Sequence, residues 1–173
     1  MESQLNVVSL LKRKNVLLIL LGCCLLLGLA NAREGWSRSH WSKTRPEINL
    51  SHVFHGEINR RGKPVGFHSR PNGNDPAHAK LVKIVSRPNR SGVYTAKVKI
   101  FDPREKRWKK KFSSIFPDSM GRQQVINAIL YAYRHRTTGK KQPWSGPSGH
   151  GFVIQGYTTS RGGINTAFPV FRR

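Results

Sequence analysis

Three of the seven histidines in the chain, His52, His55 and His68, lie within the stretch HVFHGEINRRGKPVGFH. The unperturbed pKa of histidine is about 6.5, so histidine side chains can transfer protons at neutral pH or bind a metal ion. Three glycines in the same stretch allow the backbone to come close to a bound phosphate. The stretch therefore indicates a metal site, an acid–base catalytic site or a group of structural histidines.

Metal binding is the first alternative, because His52 and His55 can ligate one ion together from a turn. A zinc site normally adds further histidine, cysteine or carboxylate ligands, and a nuclease site for a hard metal needs clustered acids. Glu57 is the only acid near these histidines. We therefore expect no metal ligands and no cofactor, and keep a metal-dependent histidine nuclease as an alternative.

Acid–base catalysis on RNA needs fewer groups. The 2′-hydroxyl of RNA is an internal nucleophile, so cleavage requires one base to accept its proton and one acid to protonate the leaving 5′-oxygen. Two histidines can fill both roles at neutral pH without a metal, and a lysine can neutralise the charge that develops on phosphorus. We expect structural roles for His55 and for the four other histidines outside the stretch: His40, His78, His135 and His150.

The N-terminal segment has the pattern of a secretory signal. The bases Lys12, Arg13 and Lys14 precede the apolar run NVLLILLGCCLLLGLA, which ends at the small-residue site ANA. The run is shorter than the roughly 20 apolar residues of a comfortable membrane span. We expect a signal peptide over residues 1–32 and a secreted or periplasmic product, with an uncleaved anchor as the alternative.

The charge balance predicts a polyanionic partner. The chain has 31 Lys and Arg against 8 Asp and Glu, a net charge of +23. Removal of residues 1–32 takes away three bases and one acid, which leaves 28 against 7 and a net charge of +21. Such a charge favours nucleic acid as the partner over an anionic membrane or an acidic glycan. Both cysteines, Cys23 and Cys24, lie in the same segment, so no thiol nucleophile remains downstream.

The elements that must position the histidines follow from two periodicities. Residues 33–50 have no period and predict a basic linker or arm, whereas residues 51–173 predict one folded domain. Tyr94, Ala96, Val98 and Ile100 alternate with polar neighbours, which predicts a strand paired in hairpins with residues 79–87 and 106–116. Apolar residues at helical spacing predict a helix over residues 121–136, capped by Asp118 or Ser119. Two further strands flank TSRGG, so we expect an α+β fold with a mainly antiparallel sheet.

The segment HVFHGE…GFH resembles the signature of the EndoU family of endoribonucleases, written H-[IV]-x-x-G-[DE] and then G-x-H. The family includes bacterial nuclease and toxin domains. Its two catalytic histidines correspond here to His52 and His68, and Gly56, Glu57 and Gly66 also match. The resemblance covers roughly residues 51–171.

The resemblance also implies further site residues. A catalytic lysine precedes a serine and a helix in the family, and KKKFSSIFPD matches this order. Lys111 is the assignment, with Lys110 as the nearest rival and Lys109, Lys97 and Lys99 as others. Ser114 and, in INTAFP, Thr166 and Phe168 would bind substrate; Phe168 replaces the tyrosine of some members, which leaves base stacking intact.

The function implied by the resemblance is metal-independent RNA cleavage that yields 2′,3′-cyclic phosphate and 5′-hydroxyl ends, on a fold shared with barnase-like RNases. His68 is the candidate base and His52 the candidate acid, an order that the sequence does not determine. The family includes toxins, for which an immunity protein would be a partner. Composition alone agrees equally well with a non-catalytic cationic protein that binds nucleic acid or an envelope surface.

Overall fold

A computed structural model of the chain describes residues 40–137 and 141–173. The elements follow in the order α1 (Leu50–Phe54), β1 (Glu57–Ile58), β2 (Pro64–Val65), β3 (Ala79–Ser86), β4 (Tyr94–Asp102), β5 (Arg107–Ile115), α2 (Arg122–Arg134), β6 (Trp144–Pro147), β7 (Val153–Thr158) and β8 (Ile164–Pro169). The strands form three antiparallel sheets, β1–β2, β3–β4–β5 and β6–β7–β8. The predicted α+β fold with antiparallel sheets and one main helix is therefore confirmed.

The β3–β4–β5 sheet has one buried face and one solvent face. Its buried face contributes the predicted apolar set to one core cluster: Tyr94, Ala96, Val98 and Ile100. Phe67, which directly precedes His68, is buried in the same cluster. The core of this sheet thus packs against the segment that carries the second histidine of the motif.

Helix α2 covers the third sheet. Its apolar stripe, formed by Val125, Ile126, Ala128, Ile129 and Ala132, is buried in the second core cluster together with Trp144 and Ile154. The helix begins at Gly121 as N-cap, whose N–H donates to the Gln124 side chain at 2.8 Å. The predicted cap at Asp118 or Ser119 is wrong, because the Asp118 carboxylate instead accepts hydrogen bonds from Arg70 and Tyr94.

Residues 40–50 belong to the packed domain, although we expected them to form the end of a linker. Trp41 forms a bridge with Asn49, and Ile48 pairs in parallel with Ile164 of β8. Ile48 is fully buried in the core cluster below α2. The predicted signal segment, residues 1–32, lies outside the described residues, as do residues 33–39. No helix within residues 40–137 and 141–173 has the length and hydropathy to cross a membrane.

Candidate active site

The two histidines of the motif face each other. His52 lies on α1, and its backbone N–H donates to the side chain of Asn49, the N-cap of that helix, at 3.1 Å. The ring centroids of His52 and His68 are 6.2 Å apart and their planes differ by 27°. The ring of Phe168 lies on β8 with its centroid 5.4 Å from that of His68. His68 is therefore the ring adjacent to both others, and we call these three rings the row.

Backbone hydrogen bonds hold the two histidine segments together. The N–H of Phe67 donates to the carbonyl oxygen of His52 at 2.7 Å, and the N–H of His68 donates to that of Val53 at 2.8 Å. Gly66 allows this approach: its φ is +73°, and a Cβ there would lie 2.2 Å from the carbonyl oxygen of His52. The glycine of the G-x-H motif is thus required by contact and by conformation.

Strand β5 determines the protonation pattern of the His68 ring. Its Nδ1 atom lies 3.0 Å from the Ser114 carbonyl oxygen and 3.0 Å from the Ser113 hydroxyl oxygen. The Ser113 hydroxyl donates to the carbonyl oxygen of Phe67 at 2.8 Å. Since a carbonyl oxygen only accepts hydrogen bonds, Nδ1 carries the proton in the neutral ring. Nε2 is then the atom that can accept a further proton.

Lys111 brings the positive charge of the site. Its ammonium group donates to the carbonyl oxygen of Gly66 at 2.8 Å and to the Ser113 hydroxyl at 3.2 Å. Burial lowers the pKa of Lys111 from 10.5 to about 8, so it is cationic at neutral pH.

The other lysines of the candidate set do not join the histidines. Lys110 is exposed on the opposite face of β5, directly across from Lys99. Lys109 is paired instead with Asp102, with 2.8 Å between Nζ and Oδ2. Lys97 is exposed on the solvent face of β4. The geometry therefore favours Lys111 over each of its rivals.

Both histidines of the row are neutral at pH 7. Burial and then the charge of Lys111 lower the pKa of His52 to about 4. Burial also dominates at His68, where the charges of Lys111 and His52 add to it and the Ser114 carbonyl opposes it; the pKa of His68 lies well below 6.5. A site that keeps two imidazoles uncharged beside an ammonium group is suited to exchange protons with a bound anion.

The carboxyl group of Glu57 lies beside Nδ1 of His52. The distance from His52 Nδ1 to Glu57 Oε1 is 3.6 Å, which is longer than a hydrogen bond but close enough to favour a proton on Nδ1. Burial raises the pKa of Glu57 and a hydrogen bond from Asn49 opposes this shift. The resemblance matches Glu57 to the motif without implying a role for it, and no pattern in the sequence indicates Asn49.

The three residues expected to bind substrate differ in their surroundings. Phe168 lies against His68. The Ser114 hydroxyl donates to the carbonyl oxygen of Pro169, which ties β5 to the end of β8. Thr166 is buried on β8, and its hydroxyl has no hydrogen-bond partner among the residues that the structure describes. By strand alternation Thr166 and Phe168 share one face of β8.

A network that the sequence did not reveal fixes the chain just after His68. The guanidinium group of Arg70 donates to Asp75 at 2.6 Å, to Asp118 at 2.7 Å and to the Tyr94 hydroxyl at 3.1 Å. The Tyr94 hydroxyl in turn donates to Asp118 at 2.8 Å. Asp75 and Asp118 are two of the seven acids outside residues 1–32. The scarcity of acids in so basic a chain is the signal in the sequence that could have indicated this network. The network stiffens the segment between His68 and β3.

The remaining histidines lie apart from this row. His55, one residue beyond α1, is exposed, and burial of its ring and the charge of Arg122 lower its pKa. Over the described ranges, no group of three histidines, cysteines or acids is arranged to hold a metal ion. A cavity of about 340 Å³ lies elsewhere, between Asn89, Phe152 and Arg172, and is lined by none of the candidate site residues.

Comparisons with known proteins show the family of the chain. The family model of the bacterial EndoU nuclease matches residues 46–170. A Bacillus cereus protein named "Toxin" is 34% identical over 134 residues, which cover 75% of this chain and 23% of that protein. The chain thus spans about a quarter of the length of this relative. No solved structure matches the chain. Because the family model covers most of the chain, the protein belongs to the bacterial EndoU nuclease family.

Proposed function

We propose that this nuclease is a metal-independent endoribonuclease that uses the 2′-hydroxyl of its substrate as nucleophile. The observation that carries the proposal is the pairing of two imidazole rings, His52 and His68, 6.2 Å apart beside the Lys111 ammonium group. This is the minimum set for transesterification: a base, an acid and a cation.

His68 acts as the base in this proposal. Its Nδ1–H is held by the Ser114 carbonyl, so Nε2 presents a lone pair. Nε2 accepts the proton of the 2′-hydroxyl as the 2′-oxygen attacks phosphorus. The low pKa of His68 keeps the ring unprotonated before substrate binds.

His52 acts as the acid. The Glu57 carboxyl group beside Nδ1 favours a proton there, so the second proton that His52 gains on becoming an imidazolium lies on Nε2, which donates it to the leaving 5′-oxygen. In the free protein the pKa of about 4 keeps His52 neutral at pH 7. A bound phosphodiester anion favours the charged imidazolium and so raises this pKa. Binding of the substrate therefore promotes protonation of His52.

Lys111 stabilises the phosphorane. Its ammonium group is oriented by the Gly66 carbonyl and the Ser113 hydroxyl, and a third N–H remains for a phosphoryl oxygen. Phe168 stacks against the base next to the scissile bond, and the Thr166 hydroxyl and the Ser114 segment hold the base or the phosphate. The 2′-oxygen–phosphorus bond forms and the phosphorus–5′-oxygen bond breaks, so the products carry a 2′,3′-cyclic phosphate and a 5′-hydroxyl.

A toxin role and export complete the proposal. The Bacillus cereus relative is named a toxin, and residues 1–32 have a secretory pattern. We infer a secreted or periplasmic nuclease toxin, for which an immunity protein would protect the producer. We expect this immunity protein to be acidic, because the net charge of the chain is +23.

Cleavage by the purified chain and two alanine variants tests the proposal. His52→Ala and His68→Ala should each lose a hundredfold or more in the rate of RNA cleavage, the range for a general acid or base, and should keep RNA binding. His55→Ala is the matched control and should retain nearly full activity, since its ring is exposed and outside the row. Wild-type cleavage should persist in excess EDTA.

The alternatives give different results in the same assay. A cationic protein that only binds nucleic acid would leave RNA intact under all conditions. A metal-dependent histidine nuclease would lose all activity in EDTA and regain it on addition of zinc or magnesium. Full activity in either His52→Ala or His68→Ala would contradict the proposed roles.

A further inference from the structure

The solvent face of the β3–β4–β5 sheet has an unusual composition. Strand pairing places two rows of three side chains on this face, Lys80–Lys99–Lys110 and Lys83–Lys97–Phe112. We call it the lysine–aromatic face. Trp108, paired with Phe101, lies on the same face, next to the first row. Such a face normally carries polar side chains alone, but here Phe112 is 59% exposed and Trp108 is 37% exposed.

The charge of this face is of one sign. The three strands contain a single acid, Asp102, and its carboxylate is buried and paired with Lys109. The ammonium groups of Lys99 and Lys80 lie 5.0 Å and 5.5 Å from the centroid of the Trp108 ring. The two ammonium groups are thus held beside an exposed aromatic ring. In such an arrangement a nucleobase can stack on the ring while the ammonium groups bind its phosphate.

The lysine–aromatic face and the histidines lie on opposite sides of β5, which is an edge strand of its sheet. The Ser113 hydroxyl oxygen lies 3.0 Å from His68 Nδ1, whereas Phe112 and Ser114 alternate to the lysine–aromatic face. Phe112 lies two residues before Ser114, roughly 7 Å along the strand, and Trp108 lies roughly 14 Å before Phe112. An extended RNA segment with its scissile bond at His68 that continues around this edge of the sheet reaches Phe112 first and then Trp108.

We propose that the lysine–aromatic face binds unpaired nucleotides of the RNA substrate beside the cleavage site, with bases on Trp108 and Phe112 and phosphates on the lysines. The choice of RNA as the cleaved substrate rests on the proposed function. Interleaved rings and lysines favour single-stranded nucleic acid over an acidic protein, because stacking on an exposed ring needs an unpaired base. The face then selects single-stranded regions over duplexes.

Binding of a labelled 2′-O-methyl RNA dodecamer to the full chain tests this inference without cleavage. Trp108→Ala and Phe112→Ala should each weaken binding about tenfold, the effect of losing one stacked base. Tyr131→Ala is the matched control, because Tyr131 is a ring on α2 about as exposed as Trp108, and it should bind as the wild type does. Binding of the duplex of the same sequence should be insensitive to all three substitutions.

The lysines give an independent measurement that keeps both rings in place. Lys97→Ala and Lys110→Ala should each reduce the slope of log affinity against log salt concentration by about 0.7, the value for one phosphate contact on a single strand. Lys43→Ala, an exposed lysine outside the face, should leave the slope unchanged.

Cleavage of two substrates separates this inference from the proposed function. Trp108→Ala and Phe112→Ala should lower kcat/KM on a cleavable dodecamer about tenfold and leave a dinucleotide unaffected. Weaker dodecamer binding in a protein that cleaves no RNA would support the face and contradict the ribonuclease proposal. Unchanged affinity in both ring variants, or an equal loss for the duplex, would overturn the inference and leave the face to a protein partner.

Discussion

His68 Nδ1 lies 3.0 Å from the carbonyl oxygen of Ser114, a backbone atom of β5. The same strand carries Lys111, whose ammonium group donates to the carbonyl oxygen of Gly66, two residues before His68. One strand thus orients the imidazole and places the cation beside it. Because strand geometry is rigid, the relative positions of the imidazole ring and the ammonium group are set by the core of the sheet.

Lys111→Ala should lower kcat on a dinucleotide about a hundredfold to a thousandfold, the loss expected when one preorganised donor to the transition state is removed. Lys110→Ala should stay at least thirtyfold more active than Lys111→Ala on this short substrate, since Lys110 faces away from the histidines. Lys43→Ala is the charge-matched control. If Lys110→Ala were the more damaged variant, the assignment of Lys111 would be wrong.

The ratio of the kcat values of the wild type and Lys111→Arg on a dinucleotide should fall above about pH 8. Lys111 must be cationic, and burial lowers its pKa from 10.5 to about 8, whereas an arginine stays charged. Titration of the two histidines affects both proteins alike and does not change the ratio. A ratio that is constant up to pH 10 would contradict this role of Lys111.

Phosphate should raise the pKa of His52. The free protein has a pKa of about 4 at this ring, and an anion between the histidines favours the imidazolium. An NMR titration of the His52 ring, with and without a 2′-O-methyl dinucleotide, measures the shift directly. A pKa that is unchanged by the ligand would remove His52 from the role of acid.

The stability of the fold should decrease on acidification through His52. Its folded pKa of about 4 lies below the unfolded value of 6.5, so the unfolded chain binds more protons below pH 6.5. The contribution of His52 to the free energy of unfolding is complete above pH 6.5. It is lost as the pH falls to 4, by on the order of 3 kcal/mol. Urea unfolding of the wild type and His52→Gln at pH 7 and pH 4 checks this. Equal pH dependence in the two proteins would refute it.

Gly66→Ala should destabilise the fold more than Gly162→Ala. Both glycines have a positive φ, which costs an alanine about 1–2 kcal/mol. A Cβ at Gly66 also meets the His52 carbonyl oxygen at 2.2 Å, whereas Gly162 has nothing within 4 Å. The additional overpacking should add about 1–3 kcal/mol at Gly66. Equal losses in thermal or urea unfolding would show that the contact with His52 is relaxed elsewhere.

Local patterns predicted the elements with buried faces. The alternation of Tyr94, Ala96 and Val98 and the helical spacing of Val125 and Ile129 are properties of neighbouring residues, so they are legible before the chain folds. Ile48 was different: it is buried because β8, more than a hundred residues later, supplies Ile164 as its partner. Ile48 lies among polar residues, so the local pattern did not indicate that its segment is ordered.

The site was predictable only where the motif matched. His52, His68 and Lys111, which the resemblance implies as site residues, lie together in the structure, but the choice among three successive lysines depends on which face of β5 meets His68. That face is determined by packing of Phe67 and Val98 in one core cluster, a non-local property. The cap at Asp118 failed for the same reason, since Arg70 is remote in sequence and takes that carboxylate.

Analysis of the cleavage products tests the two-histidine mechanism most directly. An RNA dodecamer and the same RNA with one 2′-deoxy sugar at the scissile nucleotide should bind equally, since lysine and arginine contact phosphates on either sugar. Only the all-RNA strand should be cut at that position, and mass spectrometry should find a 2′,3′-cyclic phosphate on one fragment and a 5′-hydroxyl on the other. A 5′-phosphate product, or cleavage at the 2′-deoxy position, would contradict attack by the 2′-hydroxyl.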